Sequence, residues 1–328
     1  MSPTSDPTTV HVTHLSEPRA ARDELADDVR RGLGGTGPKS LPPKHLYDAR
    51  GSALFEEITR LPEYPVTRAE TAVLERSAGA IIATAAPAEM LELGSGSSRK
   101  TVLLLEAMHA AGTGERYAPL DVSEAAIRGA AAALAVDHPW LEVHGYVGDF
   151  LTDLPRVPPD GRRLIAFLGS TIGNLDRAQR PGLYAAIRAA MDDDDHLLLG
   201  AHLVGDADDL QRAYDDPAGV TAAFTTNLLH VVNRELDGDL PVDAFRHVAV
   251  WDAEQERVTL SLEATREVTA RIAALDLEVT FATGERLLVE HSHKFRLGPL
   301  TAELAEAGLE VVQVHEGDGF ASLLARRV

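Results

Sequence analysis

Apolar residues change rhythm along this chain, and each change predicts a different architecture. From Thr71 to about residue 203, short apolar runs alternate with segments of helical period. The runs are "EMLELG" (89–94), "RYAPLDV" (116–122), "VHGYVGDF" (143–150), "RLIAFLG" (163–169) and "HLLLGAHL" (196–203). Between them lie stretches such as "KTVLLLEAMHAA" and "SEAAIRGAAAALAVDH", whose apolar positions fall on one helical face. This β-α-β alternation predicts a parallel, doubly wound sheet. After residue 204 the rhythm breaks: 207–235 reads as helical, and 247–294 as longer strands with period two in "RVTLSLEA" and "LEVTFATG", the mark of antiparallel pairing. A helix at "LTAELAEAGL", then "EVVQVHEG" and "FASLLARRV", predicts a return to the first sheet.

Upstream, Leu25, Val29 and Leu33 share one helical face between Ala20 and Leu33. A further helix is predicted near Ser52, with the serine hydroxyl as N-cap and Leu54, Phe55 and Ile58 facing inward. Residues 1–16 are polar, include Pro3 and Pro7, and are predicted to be a flexible N-terminus. The fold class that follows is α/β: a doubly wound, mostly parallel Rossmann-like sheet over 70–203 and 295–328. An inserted α+β substrate-binding domain takes 17–69 and 204–294.

Composition narrows the function classes. The 328 residues carry 51 acidic and 31 basic side chains, a formal net charge of -20. Such a surface repels nucleic-acid phosphates and anionic lipid headgroups, so neither nucleic acid nor membrane is an expected partner. Zero cysteines exclude disulfides, thiolate metal sites and cysteine nucleophiles, and suit a reducing cytoplasm. No apolar run is long enough for a signal sequence or a membrane span. The chain is expected to be cytoplasmic, to act on a small molecule, and to need no obligate protein partner.

The candidate chemistry starts at "LELGSGSSRK" (91–100), a glycine loop following the first strand. In a doubly wound sheet this loop lets backbone approach a ligand at the strand carboxyl ends. A dinucleotide fingerprint needs a third glycine or alanine where Arg99 stands, and a P-loop needs a second glycine before Lys100-Thr101. What remains is E-x-G-x-G, from Glu92 to Gly96, the form used by S-adenosylmethionine-dependent methyltransferases. Asp121, ending the second strand, can accept both ribose hydroxyls, and Asp149, after the third, can accept the adenine amino hydrogens while Phe150 packs on the ring. Thirteen histidines include "HSH" (291–293), but no third ligand lies nearby, so no metal is expected.

Longer motifs carry a resemblance. "PKSLPPKHLYDARGSALFEEITRLPEY", "LELGSGSSRKT", "FLGSTIGNL", "YDDPAGVTAAF", "NRELDGDLPVDAFRHVAVWDAEQER" and "VEHSHKFR" resemble the histidine-specific Nα-methyltransferases of ergothioneine biosynthesis, from about residue 38 onward. That family trimethylates free L-histidine to hercynine with S-adenosyl-L-methionine as donor and S-adenosyl-L-homocysteine as product. Position by position, the resemblance implies that Gly94, Lys100, Asp121, Asp149 and Phe150 contact the cofactor, with Gly96 shaping the loop. It implies Tyr64, Asn174 and Tyr214 around the substrate carboxylate, and the catalytic pair Tyr47 and the Gly169 backbone near the amino group. Glu290 and Ser292 are implied at the imidazole, with Phe55 and Leu260 lining the same pocket.

Neutral donors such as Asn174 and the tyrosine hydroxyls suit a carboxylate, and Glu290 suits a ring N–H. The chain departs from the family pattern at Pro65 and Val66, where a second tyrosine and a proline are usual. It departs again at Leu260, usually methionine, and at His202, usually aspartate. Two alternatives stand beside the histidine reading: another aromatic amino acid such as tryptophan on the same fold, and a nicotinamide-dependent oxidoreductase.

Overall fold

The computed structural model describes residues 11–15 and 18–328. In chain order its first elements are β1 (His11–His14), α1 (Pro18–Leu33), β2 (Lys39–Ser40), α2 (Ala49–Ile58), α3 (Val66–Ala85), β3 (Glu89–Leu93), α4 (Val102–Ala111) and β4 (Arg116–Asp121). There follow α5 (Glu124–Asp137), β5 (Glu142–Val147), α6 (Phe150–Asp153), β6 (Arg163–Phe167), α7 (Arg180–Ala189), β7 (His196–His202), α8 (Ala207–Arg212) and α9 (Val220–Leu236). The last are β8 (Phe245–Asp252), β9 (Arg257–Ala264), β10 (Val268–Ile272), β11 (Leu277–Phe281), β12 (Arg286–His293), α10 (Leu297–Glu306), β13 (Leu309–Gly317) and β14 (Phe320–Arg327). The chain divides into two compact units. One holds the described part of Met1–Ser16, Val66–Val204 and Lys294–Val328; the other holds the described part of Glu17–Pro65 and Gly205–His293.

The first unit is an eight-stranded sheet in the order β1-β5-β4-β3-β6-β7-β14-β13. It is parallel from β1 to β7, and β14 and β13 close it antiparallel. β3 is buried at every position and lies between β4 and β6, so the strand order reverses there. The crevice at such a reversal is where α/β sheets bind ligands. Leu91, Leu93, Ile165 and Phe167 pack into one core cluster, and Met90, Leu164 and Leu198 into another that includes Leu74, Ile81 and Ile82 of α3. Each such side chain contributes roughly 1.5–3 kcal/mol of apolar burial.

The expected flexible N-terminus needs correction within the described residues. His11–His14 form an edge strand parallel to β5, from His11 opposite His144 to His14 opposite Val147. Four residues are too few to show a period in sequence, and the pairing supplies the order. The rest of that predicted segment, 1–10 and 16, lies outside the described residues. The structure also begins its second interval of the sheet unit at Val66, because α3 runs unbroken from there, rather than at residue 70.

The second unit carries a four-stranded sheet, β2-β12-β9-β8, and a separate β10-β11 pair. β12 runs antiparallel to β9 and parallel to β2. The helical stretch 207–235 is two helices, and Asp216 accepts the Val220 and Thr221 N–H groups at 2.9 and 2.8 Å to start the second. The N-cap expected at Ser52 is instead Asp48, whose carboxylate accepts the Gly51 N–H at 2.8 Å. An aspartate one residue before the first turn outcompetes a serine inside it. Among the described residues no helix is long and apolar enough to cross a membrane.

Candidate active site

The sheet unit assembles one group of the expected residues where β3, β4, β5 and β6 end. After β3 the chain turns through Gly94 and Gly96, with φ of +65° and +51°, a region that side chains rarely adopt. The Gly96 N–H donates to Asp121 Oδ2 at 2.9 Å, and the Ser123 N–H to Oδ1 at 2.9 Å. Asp121 thus holds the loop through backbone N–H groups, with Val122 adding to Gly96 and Ser123, and burial raises its carboxyl above the usual range against their pull. Asp149 caps α6 by accepting the Leu151 N–H at 2.9 Å. The next ring, Phe150, meets Phe167 edge-on at 5.2 Å between centroids. A Cβ on Gly94 would fall 3.8 Å from the Phe150 ring and 3.9 Å from Thr171, so the glycine loop, this ring and the loop after β6 adjoin. A loop with two glycines, an aromatic face and a carboxylate at successive strand ends fit a nucleoside methyl donor.

Lys100 and Gly169 are tied together by Glu70, a residue that sequence reasoning missed. Lys100 forms an ion pair with the buried Glu70 carboxylate. The Gly169 N–H lies 2.9 Å from both Glu70 oxygens. With its N–H so engaged, Gly169 has its carbonyl to offer an amine. Asn174, half-buried, ends the 3-10 turn Thr171–Asn174 that follows.

Glu92, the acidic member of E-x-G-x-G, lies fully buried behind the loop. Thr101 Oγ1 lies 2.8 and 2.9 Å from its two oxygens, and the Tyr117 hydroxyl donates to it while meeting Ser98 Oγ at 2.6 Å. Burial lifts the Glu92 carboxyl to about 7, against the opposing pull of these hydrogen bonds and of Lys100. A carboxyl raised on folding gives stability that is full below its unfolded value and is lost as pH rises through the folded one. The Glu92→Gln variant keeps the shape without the charge. Its thermal stability relative to the parent is therefore expected to improve from pH 5 to pH 8, by roughly 2 kcal/mol. Paired melting curves across that range check this, and a constant difference would contradict it.

The second unit brings together most of the residues expected at the amino acid. Tyr47, just after the 3-10 turn Pro43–Leu46, packs edge-on against Phe55 at 5.6 Å and against Phe224 at 5.4 Å. Phe224 is a further ring that the sequence did not single out. Tyr64 and Tyr214 meet edge-on at 5.8 Å, and their hydroxyls are hydrogen-bonded. The Tyr214 hydroxyl also meets Ser292 Oγ at 2.8 Å. Burial, with the nearby Glu290 charge, pushes the Tyr214 hydroxyl well above its ordinary range, so it stays a neutral donor at physiological pH. Glu290 and Leu260 are directly opposite in the β12–β9 register, and all five of these residues are buried.

His247 was also missed: its Nε2–H donates to the Tyr214 carbonyl at 2.8 Å, and Thr225 Oγ1 lies 2.9 Å from its Nδ1. Burial lowers this imidazole, which keeps it neutral as a fixed peg for Tyr214. No local signal marks His247, because its partners lie on α9 and in the turn before it. Among the described residues, no cluster of three or more His, Cys, Asp or Glu is arranged to hold a metal ion.

Comparison with known proteins identifies the family. Residues 25–327 match the family described as "Histidine-specific methyltransferase, SAM-dependent". The chain is 50% identical over 290 residues to the histidine N-alpha-methyltransferase of Mycolicibacterium smegmatis, covering 88% of this chain and 90% of that protein. It is 48% identical over 301 residues to the histidine N-alpha-methyltransferase of Mycobacterium tuberculosis, covering 92% and 93%. Ergothioneine biosynthesis protein 1 of Schizosaccharomyces pombe is 30% identical over 266 residues, which are 77% of this chain and 34% of that longer protein. A family match from residue 25 to 327, with relatives of 48–50% identity matched over at least 90% of their own length, settles the family: the chain belongs to the histidine-specific, S-adenosylmethionine-dependent methyltransferases.

Proposed function

We propose that this protein transfers three methyl groups to the α-amino nitrogen of free L-histidine, giving hercynine, the first step of ergothioneine biosynthesis. The observation that carries the reading is the buried set of Tyr64, Tyr214, Ser292 and Glu290 in one unit, with neutral hydroxyls beside a single carboxylate. Free histidine presents a carboxylate for the hydroxyls and a ring N–H for the carboxylate, whereas a nicotinamide ring needs neither. The 48–50% identity to proteins named histidine N-alpha-methyltransferase supports the same substrate.

In this reading Gly94, Gly96, Lys100, Asp121, Asp149 and Phe150 hold S-adenosylmethionine, which supplies a methyl group already activated on a sulfonium. The protein's work is alignment and exclusion of water. Tyr64, Tyr214 and Asn174 hold the substrate carboxylate. Glu290 accepts the ring N–H, Ser292 serves the other nitrogen, and Phe55 and Leu260 line the pocket. An α-amino group of pKa roughly 8 is partly neutral near physiological pH, so no strong base is needed. Tyr47 and the Gly169 carbonyl accept hydrogen bonds from its N–H groups and so aim its lone pair at the methyl group, and the proton that each of the first two transfers leaves on nitrogen passes by way of Tyr47 to water. The partner required is a small-molecule amino acid; the reading calls for no nucleic acid, membrane or protein partner, and the cysteine-free chain suits the cytoplasm.

The decisive experiment offers each proteinogenic amino acid with methyl donor and follows products by mass spectrometry. Histidine alone is expected to gain one, two and then three methyl-for-hydrogen replacements. Preferential methylation of tryptophan would shift the assignment to another aromatic amino acid, and tight binding of NAD without S-adenosylhomocysteine would replace the reaction class.

A further inference from the structure

Glu70 sits in a seat shaped around its carboxylate. It is fully buried on α3, accepts the Gly169 N–H and pairs with Lys100. A Cβ on Gly200 of β7 would fall 2.3 Å from Glu70 Oε1, so a side chain there would evict the carboxylate. A Cβ on Gly169 would fall 3.1 Å from Lys100 Nζ and 3.4 Å from Thr171 Oγ1. Thr171 in turn neighbours the Cβ direction of Gly94 in the glycine loop. One buried anion therefore joins the residue leading into α4 to the loop after β6, next to the turn that receives the methyl donor.

Charge gives this arrangement a purpose. A lone ammonium in a partly desolvated site repels any second cation, and a lone buried carboxylate is costly. As a pair they are neutral. We propose that Glu70 is a positioning residue for methyl transfer: its carboxylate neutralises Lys100 and fixes the Gly169 peptide beside the glycine loop, so that the site accepts a cationic sulfonium. This inference rests on the methyl-donor reading above.

S-Adenosylmethionine and S-adenosylhomocysteine differ by one methyl group and one positive charge, so the ratio of their dissociation constants isolates the charge effect. Glu70→Gln keeps the volume and an acceptor for the Gly169 N–H but takes away the ion-pair partner of Lys100, leaving the Glu92 carboxyl, which burial lifts to about 7, as a partial counter-charge. By calorimetric titration, the ratio Kd(S-adenosylmethionine)/Kd(S-adenosylhomocysteine) is expected to rise about tenfold in Glu70→Gln. The double variant Glu70→Gln/Lys100→Met is expected to return it to the parent value. A merely structural role would weaken both ligands alike; an unchanged ratio in Glu70→Gln overturns the proposal. Should that variant not fold, Lys100→Met alone removes the positive charge, and its ratio must stay at or below the parent's; a rise overturns the proposal. If the parent protein binds neither ligand, the methyl-donor reading itself falls and this inference with it, a result distinct from an unchanged ratio with both ligands bound.

Discussion

Asp121→Ala is expected to weaken S-adenosylhomocysteine binding by about a hundredfold or more. The carboxylate holds the Gly96 and Ser123 N–H groups, each at 2.9 Å, and in the proposed complex also accepts the ribose hydroxyls. Hydrogen bonds to a charged acceptor contribute roughly 1.5–3 kcal/mol each, and losing the ribose contacts as well as the restraint on a left-handed glycine compounds the loss. About 3 kcal/mol corresponds to more than a hundredfold in affinity. Titration calorimetry with S-adenosylhomocysteine measures this directly. Asp121→Asn retains one acceptor oxygen and should fall between alanine and the parent. A defect confined to histidine, with the nucleoside bound normally, would remove Asp121 from the cofactor site.

Glu290→Ala should act on the other ligand. Its expected effect is a rise of roughly 30- to 100-fold in the Michaelis constant for histidine, the equivalent of one charged hydrogen bond, with cofactor affinity unchanged. The β12–β9 ladder that carries Glu290 is held by backbone pairing, so the variant is expected to fold. Unpaired, the ring N–H would remain desolvated, which is why the penalty exceeds that of a surface contact. Steady-state kinetics with each substrate varied in turn separates the two constants, and an unaltered histidine constant would exclude Glu290 from the ring site.

Much of the sheet was legible because buried parallel strands read as continuous apolar runs bounded by turn residues. The five runs from "EMLELG" to "HLLLGAHL" all became strands, most trimmed by one or two residues at an end. The glycine loop was legible for a related reason: its chemistry is written in adjacent residues, and the structure adds that Gly94 and Gly96 turn through left-handed backbone there. What escaped depends on distant partners. On α3, Glu70 reads as one more polar helical residue, and only the fold brings it to Gly169, 99 positions away. His247 and Phe224 became visible through Tyr214 and Tyr47 in the same way. The edge strand β1 was hidden because four residues leave little periodic trace, whereas the break before α9 is marked by Pro217 and Gly219, which the single helical reading of 207–235 passed over.

The order in which strands are made differs from the order in which they pair. β2 leaves the ribosome early, yet its partner β12, the strand bearing Glu290 and Ser292, follows roughly 250 residues later, on the order of ten to fifty seconds at usual elongation rates. β14, which lies between β7 and β13, is likewise synthesised after both of its neighbours. Neither sheet can therefore close in step with synthesis. The nascent chain must hold edges such as that of β7 unpaired until β14 is made, so the contacts that complete both sheets are those most distant in sequence.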